Sequence, residues 1–515
     1  MNIIPKPNGL HELHEGGFPA EGLSSVYVEE FDRSCLLAFE DRIGFSLQDA
    51  EPEQAALLLR RNTDLAPEGY ILTVEQASIT VSAASEIGVI WALTTLFKLK
   101  ETNIYPAWHI EDSPKYAHRG FLLDCSRHFF SVEIVKEMIE INSLSKLNIF
   151  LWQLTNDQGW RIESKVFPKL HETNGQDYFT QDEIRDVIAF AKARGVDVIP
   201  NIDMPGHAVA AIAAYPELSC KGEPVSIRDK AGISTVILCA GKDSTYEFIK
   251  TLLDEIIPLF DSPYFHIGGD EAPKTAWESC PHCKAKLAEI GSESFEDLLG
   301  YFIQTVSEYV AGKGKIPICW NDVLFAQNLT QPMIIQQWLE LGRPPLTKSF
   351  IENGGSVIFS DMFYLYLDYP EAMSSLSRVY AYSPSLNGVD FSSHKLCCGI
   401  QACLWTEMVS TKEVLFQRAY PRLFAVAEAA WTIERDYVDF ERRLIPLLAE
   451  MKSKGLPFLP LRACNPKGWV RKMKIIKTLK AFSKVMKEDS EKTLPVTEEK
   501  LAYFLGGFDI SLPKK

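Results

Sequence analysis

The chain has 515 residues, of which 46% are hydrophobic and 23% are charged, as in an ordinary globular enzyme. Its net charge of −15 argues against nucleic acid as a partner. No run of about 18 apolar residues occurs, so we predict no membrane span and no membrane partner. The first residues, "MNIIPKPNGLHELHEGG", lack a basic stretch followed by an apolar one, so we expect no secretory signal and a cytoplasmic location.

Residues 1–115 are predicted to form a small α/β domain. The segments "GYILTVE" and "SITVSAA" alternate apolar and polar residues, as paired strands do. The following segment, "EIGVIWALTTLFKLK", has helical periodicity. The Asp-Ser-Pro turn in "HIEDSPKYAHRG" marks the predicted end of this domain.

Residues 116–445 alternate short apolar runs with amphipathic helical stretches. One of these stretches opens with Thr180 and has Glu183 three residues later, which is the pattern of a capping box. Strands that alternate with helices predict a parallel (β/α)8 TIM barrel, with a doubly wound open sheet as the alternative. The eight strand candidates are "GFLLD" (120–124), "IFLWQLT" (149–155), "VDVIPNID" (196–203), "YFHIGG" (264–269), "IPICW" (316–320), "MIIQQW" (333–338), "SVIFS" (356–360) and "GIQACLW" (399–405).

Several of these runs end in residues suited to chemistry, which favours the barrel, because a barrel builds its active site at the carboxyl ends of its strands. Three of these residues are tryptophans, which favour a sugar ligand, since the apolar faces of sugar rings stack on indoles. The residues at the strand ends are Asp124, Asp203, Asp270 with Glu271, Trp320, Trp338, and Trp405 with Glu407.

The last predicted unit, residues 446–515, is a helical C-terminal extension. Its basic stretch, "KGWVRKMKIIKTLKAFSKVMK", favours a helix packed on the barrel over a helix on a membrane surface. The 11 cysteines are scattered and are predicted to be reduced thiols. The segment "CPHC" (Cys280, His282, Cys283) has zinc-like spacing but no second such pair, so a loop leading into a helix is favoured. We therefore predict no metal and no other cofactor.

Seven segments together resemble glycoside hydrolase family 20, the β-N-acetylhexosaminidases. The small N-terminal unit is also similar to the α/β domain that often precedes this family's barrel. The segments are "RGFLLDCSRHF" (119–129), "LTNDQGWRIES" (154–164), "NIDMPGHA" (201–208), "HIGGDEAPK" (266–274), "ICWND" (318–322), "YLYLDY" (364–369) and "LWTE" (404–407).

The resemblance implies an exo-acting, retaining enzyme that removes terminal β-linked GlcNAc or GalNAc from small oligosaccharides or glycosides. This family departs from the usual pair of opposed carboxylates, because the substrate's own acetamido oxygen attacks C1. By resemblance, Glu271 is the general acid and then the general base, and Asp270 holds the acetamido N–H. Tyr366 donates its hydroxyl to the acetamido oxygen, and His207 supports Glu271.

The resemblance also implies a set of residues that bind the sugar. Arg119 is expected to bind its 3- and 4-hydroxyls, and Asp368 and Glu407 its outer hydroxyls. The walls of the pocket are expected to be Trp320, Trp338 and Trp405.

In "QLTND", Gln153 and Asn156 replace a histidine and an acid of many relatives. The carboxylate partner of His207 is therefore open, with Asp157 as a partial substitute.

Three alternatives remain at this point. The first is a relative that releases disaccharides or accepts a single hexosamine. The second is a carbohydrate-binding protein on the same fold, and the third is a barrel hydrolase that uses the acids and His207 as metal ligands. The sequence makes no prediction of the oligomeric state.

Overall fold

The computed structural model describes residues 2–173, 177–230, 232–330, 332–339 and 345–487, without the side chains of residues 14, 15 and 481–487. Of the predicted C-terminal extension, residues 488–515 lie outside the described residues.

The N-terminal part of the chain forms a seven-stranded mixed sheet with helices. Both predicted strands are present and pair antiparallel, Tyr70 opposite Ala83. The predicted helix is Glu86–Leu99. Ser85 caps its amino end, because the Ser85 hydroxyl accepts a hydrogen bond from the Gly88 amide. In chain order the seven strands are Gly9–Pro19, Ser25–Val28, Gln48–Asp49, Leu57–Arg61, Tyr70–Val74, Ile79–Ala83 and Ile104–Asp112. Across the sheet they are arranged in the order first, seventh, fifth, sixth, fourth, second and third.

Eight parallel strands then close a barrel, and each coincides with one of the predicted apolar runs, which confirms the predicted fold class. The strands follow one another around the barrel, and the eighth closes it against the first, with Leu404 opposite Leu123. Barrel strands one to eight are His118–Asp124, Ile149–Gln153, Asp197–Met204, Tyr264–Gly268, Ile316–Trp320, Ile334–Gln337, Val357–Phe359 and Cys397–Leu404. Two short hairpins, Thr155–Asn156 with Gly159–Trp160 and Ser385–Leu386 with Val389–Asp390, lie in the loops.

Helices cover the outside of the barrel and bury their apolar faces against its strands. The predicted capping box is present, since the Thr180 hydroxyl accepts from the Glu183 amide while the Glu183 carboxylate accepts from the Thr180 amide. The α-helices of the described residues are Leu37–Ile43, Glu86–Leu99, Val132–Leu144, Lys169–Glu172, Gln181–Lys192, Val209–Ala214, Asp243–Ile256, Thr275–Ser279, Pro281–Glu289, Phe295–Gly312, Leu346–Glu352, Met362–Leu365, Leu376–Tyr380, Lys412–Ala419, Arg422–Trp431, Tyr437–Ser453, Leu461–Cys464 and Gly468–Lys487.

The C-terminal helices pack on the barrel. Phe440 and Leu444 of the helix Tyr437–Ser453 join the main hydrophobic core, so the boundary predicted between residues 445 and 446 falls inside this helix. In the last described helix Ile475 is buried, and the Lys474 ammonium pairs with Glu371. Within the described ranges we find no helix with both the length and the apolar character needed to cross a bilayer.

Candidate active site

The predicted acids and aromatic residues come from six neighbouring barrel strands and gather at the carboxyl end of the barrel. Asp203 lies in the third strand, Asp270 and Glu271 follow the fourth, Trp320 ends the fifth, Trp338 follows the sixth, Tyr366 and Asp368 follow the seventh, and Trp405 and Glu407 follow the eighth. Parallel strands present their carboxyl ends on one face, so residues distant in the chain become neighbours there.

Asp270 and Glu271 are adjacent in the chain but do not point to opposite faces. The strand ends at Gly268, and Gly268, Gly269 and Glu271 all have positive φ, at 74°, 95° and 44°. A Cβ at Gly268 would overlap a carboxylate oxygen of Asp203, so only glycine fits there. A left-handed glutamate costs about 1–3 kcal/mol, a form of strain found mainly at functional sites. This backbone directs both carboxylates to the same side.

His207 is the group on which the two carboxylates converge. Its Nε2 lies 3.6 Å from Oδ2 of Asp270 and 3.5 Å from Oε2 of Glu271. On its other side, Nδ1 lies 3.7 Å from Oδ2 of the buried Asp157. Burial alone would lower the pKa of His207. The charge of Asp270, together with the nearby carboxylates of Asp157 and Glu271, instead raises that pKa well above its usual value.

The sequence of "QLTND" did not identify the carboxylate partner of His207. In the structure this partner is Asp157. Its other oxygen accepts a hydrogen bond of 3.2 Å from the Val209 amide, and its own amide donates to Oδ1 of Asn156 at 2.8 Å. These bonds fix the carboxylate in place. Gln153 instead donates to the carbonyl of Thr155 and is buried in the barrel.

The acids around His207 have different protonation preferences. Burial raises the pKa of Glu271, and the charges of Asp270 and Asp322 add to this, although His207 opposes it. Burial would also raise the pKa of Asp270, but the charge of the nearby His207 lowers it. The site thus favours a protonated Glu271 beside an ionised Asp270, an arrangement suited to acid catalysis.

Asp203 was expected at this end of the barrel, but its relation to Asp270 was missed. Its carboxylate lies in a tight group with His207 and Asp270, the three ligand atoms being within 4.8 Å of one another. Burial and then the charge of Asp270 raise the pKa of Asp203 well above its usual value. A protonated Asp203 keeps a second negative charge away from Asp270. The third-strand position was the only sequence signal for this role.

Four aromatic rings wall the space beside these acids. Tyr366 lies between Trp338, at 6.1 Å between ring centroids and nearly parallel, and Trp405, at 6.0 Å. Trp320, which is fully buried, lies 6.0 Å from Trp405. The indole N–H of Trp338 donates to Oδ2 of Asp322 at 2.7 Å and so fixes its ring. Burial raises the pKa of Tyr366 well above its usual value, so its phenol remains a neutral hydrogen-bond donor.

A charged cluster lies beside Trp405. Nε of Arg127 lies 3.1 Å from Oε1 of Glu407, and its Nη1 donates to Oδ2 of Asp124 at 3.1 Å. The Arg127 guanidinium also lies over the ring of Trp405, 5.1 Å from its centroid. Burial and then the charge of Glu407 raise the pKa of the neighbouring Asp368 to about 7.

Arg119 does not belong to the site, so its predicted role in binding hydroxyls is wrong. It lies at the amino end of the first strand, opposite the site, where it is fully buried. Its guanidinium makes two bonds to Glu68, of 3.0 and 2.6 Å, and donates to the carbonyl of Lys146. A residue at the amino end of a barrel strand lies at the stability face. Arg127, three residues after the Asp124 that ends the strand, is the arginine at the mouth, and that spacing was the signal that identifies it.

Two family models match the chain. The one described as "Glycosyl hydrolase family 20, catalytic domain" matches residues 116–434, and "Glycosyl hydrolase family 20, domain 2" matches residues 1–113.

Among curated proteins, the chain is 34% identical to a beta-hexosaminidase of Porphyromonas gingivalis, over 90% of this chain and 65% of that protein. It thus spans somewhat less than two thirds of that relative's length. It is 31% identical to a beta-hexosaminidase of Vibrio furnissii, over 83% of this chain and 76% of that protein.

Solved structures are similar in fold over most of the chain. A beta-N-acetylhexosaminidase of Bacteroides fragilis superposes with a TM-score of 0.82 at 30% identity, over 89% of this chain and 97% of that one. A GH20 exo beta-N-acetylglucosaminidase of Vibrio harveyi, in complex with N-acetylglucosamine, superposes with a TM-score of 0.78 at 29% identity, over 89% and 78%.

Proposed function

Because the chain belongs to glycosyl hydrolase family 20, as its sequence motifs predicted, we propose that it is an exo-acting, retaining β-N-acetylhexosaminidase using substrate-assisted catalysis. Its substrates are small oligosaccharides or glycosides that end in β-linked GlcNAc or GalNAc. The 11 cysteines, all free, support a reducing compartment such as the cytoplasm.

The observation that carries this proposal is the convergence of Asp270 and Glu271 on one nitrogen of His207, within 3.6 Å. Enzymes that use two opposed carboxylates place one on each side of the scissile bond. Here two adjacent acids act from one side with opposite protonation preferences. This arrangement suits a reaction in which the substrate itself provides the nucleophile.

In the first step the acetamido carbonyl oxygen of the substrate attacks C1. The bond from C1 to the leaving oxygen breaks, and Glu271 donates its proton to that oxygen. The result is an oxazolinium ion and an ionised Glu271. In the second step Glu271 takes a proton from water, which attacks C1 from the face that the leaving group occupied. Two inversions at C1 give a product that retains the β configuration.

The other residues orient the acetamido group. Ionised Asp270 accepts from its N–H and stabilises the positive charge that develops on the ring of the intermediate. Tyr366 donates its hydroxyl to the acetamido oxygen and aims it at C1. The indoles of Trp320, Trp338 and Trp405 enclose the methyl group and the sugar face. His207, held by Asp157 on its far side, positions both acids.

Binding of the non-reducing end falls to the charged cluster at the mouth. Arg127 takes the place that was predicted for Arg119, and its guanidinium fork suits a pair of neighbouring hydroxyls. Asp368 and Glu407 accept from the outer hydroxyls. A cluster that binds the outer hydroxyls of a terminal sugar suits an enzyme that removes one sugar at a time.

The test compares two aryl β-glucosides, one with a 2-acetamido group and one with a 2-hydroxyl, at pH 5 to 7. We expect strong selectivity for the acetamido substrate, and the GalNAc analogue alongside defines the preferred hexosamine. Equal rates would show that the protein provides its own nucleophile and would refute the mechanism. Inactivity on both would favour a disaccharide-releasing enzyme or a carbohydrate-binding protein.

A further inference from the structure

Four cysteines from three separate parts of the chain meet behind the active-site loops. Cys220 and Cys239 lie in the connection after the third barrel strand, and Cys280 and Cys283 come from the "CPHC" segment after the fourth. The four sulfur atoms all lie within 4.8 Å of one another. His282 points elsewhere, being exposed, so this is a cluster of cysteines alone.

The spacing of the sulfurs fits a tetrahedral metal ion. Three of the six sulfur–sulfur distances are 3.8 Å for Cys220 to Cys283, 3.8 Å for Cys239 to Cys280 and 3.6 Å for Cys239 to Cys283, and the other three are within 4.8 Å. A zinc–sulfur bond of about 2.3 Å in a regular tetrahedron places the sulfurs about 3.8 Å apart. A disulfide would require about 2.05 Å, which none of these pairs approaches.

We propose that Cys220, Cys239, Cys280 and Cys283 form a structural zinc site that ties together the loops after the third and fourth barrel strands. Four thiolates and a closed coordination shell are the features of a structural zinc centre, as distinct from a catalytic one. The sequence offered only half of it, because Cys220 and Cys239 are single cysteines far upstream of the "CPHC" pair.

The surrounding backbone is built for close approach at this point. A Cβ at Gly241 would overlap backbone atoms of His282 and Cys283, so only glycine lets the two segments meet. Cys280 and Cys283 lie at the start of the helix Pro281–Glu289, whose amino end stabilises negative charge. This position favours thiolates, the form that binds metal.

The cluster is linked to the catalytic loops through Leu238, the neighbour of Cys239. The amide of Leu238 donates to the carbonyl of Pro205, two residues before His207, at 3.0 Å. Its carbonyl accepts from the indole N–H of Trp277, which lies just beyond the Glu271 loop, at 2.9 Å. An ion bound here therefore braces both loops without touching the substrate.

The experiment measures the zinc and iron content of the purified full-length protein by elemental mass spectrometry. We expect about one zinc per chain in the wild type and less than a tenth of that in Cys283→Ser. The matched control is Cys397→Ser, a half-buried cysteine outside the cluster, which should keep its zinc. In Cys220→Ser, the mildest change because Cys220 is half-buried, we expect a folded protein with weakened zinc binding and a lower melting temperature.

Replacement of the zinc by Co²⁺ gives a second readout, independent of activity. We expect the charge-transfer bands of cobalt bound by four thiolates in the wild type, and an altered spectrum in Cys220→Ser.

Protein that stays metal-free after addition of Zn²⁺ would overturn the proposal, as would four freely reactive thiols in zinc-loaded protein or a disulfide seen by intact mass. Iron in place of zinc would overturn the assignment of the ion. None of these readouts depends on glycosidase activity.

Discussion

Two arginines near opposite ends of the first barrel strand allow a direct test of where the substrate binds. Arg119 lies at the amino end of this strand and Arg127 three residues beyond its carboxyl end, and each is buried against carboxylates. We consider the matched substitutions Arg127→Met and Arg119→Met, which remove the charge while keeping most of the side chain's length.

The expected magnitude follows from the contacts. A hydrogen bond to a charged group contributes about 1.5–3 kcal/mol. Loss of two such bonds to sugar hydroxyls, at the lower value, raises the activation barrier by about 3 kcal/mol, and each 1.36 kcal/mol is a factor of ten in rate. We therefore expect kcat/KM of Arg127→Met to fall more than about a hundredfold. Arg119→Met should keep the wild-type kcat/KM per folded molecule.

Both variants should lose stability, since breaking a buried ion pair costs about 3–5 kcal/mol. Stability alone therefore does not distinguish the two residues. The assay is kcat/KM on an aryl N-acetyl-β-glucosaminide, with the folded fraction measured by circular dichroism at the assay temperature. An Arg127→Met enzyme with wild-type kcat/KM, or an equal loss per folded molecule in Arg119→Met, would refute our placement of the sugar.

Three further predictions concern the acids and the groups that orient them. Glu271→Gln should lower kcat by about 10²–10⁴ on substrates with poor leaving groups and far less on activated aryl glycosides, and equal losses on both would contradict its role as acid. Since Glu271 must be protonated, wild-type kcat/KM should fall as pH rises through its raised pKa, and a profile in Glu271→Gln that keeps this limb would contradict the assignment. Asp270→Asn and Tyr366→Phe should each lower kcat about 10²–10³-fold on acetamido substrates, and an unchanged kcat in either would remove that residue from the mechanism. Asp157→Asn should lower the pKa of His207, measured by NMR of its ring nitrogens, because the Asp157 carboxylate helps to raise that pKa; an unchanged titration would show that Asp157 does not act on His207.

Protonation of His207 also links the site to stability. Its folded pKa is raised above the unfolded value of about 6.5, so its charged form stabilises the fold fully below that pH. This contribution should be lost as pH rises through the raised folded pKa. It should be smaller in Asp157→Asn, as urea unfolding at several pH values would show.

The sequence by itself determined the elements of the barrel and most of the residues at its mouth. Each apolar run of 116–445 became a barrel strand, because burial on both faces of a parallel strand requires a continuous apolar segment, a local property of the chain. Once the strands were placed, residues that follow them, such as Asp270 and Trp405, had to lie at the carboxyl end. The motif "HIGGDEAPK" is also local and identified the family. Its two glycines adopt the positive φ angles that the backbone carrying the two acids requires.

Only the tertiary structure decided which of these residues meet. It excluded Arg119 and brought Arg127 to the site. The first strand begins at His118, so Arg119 lies at its amino end, away from the site, and Arg127 lies beyond its carboxyl end. The tertiary structure set Asp157 against His207, which comes from a different loop. It also gathered four cysteines that span residues 220–283. Such contacts depend on closure and register of the whole barrel, and no local pattern of residues encodes them.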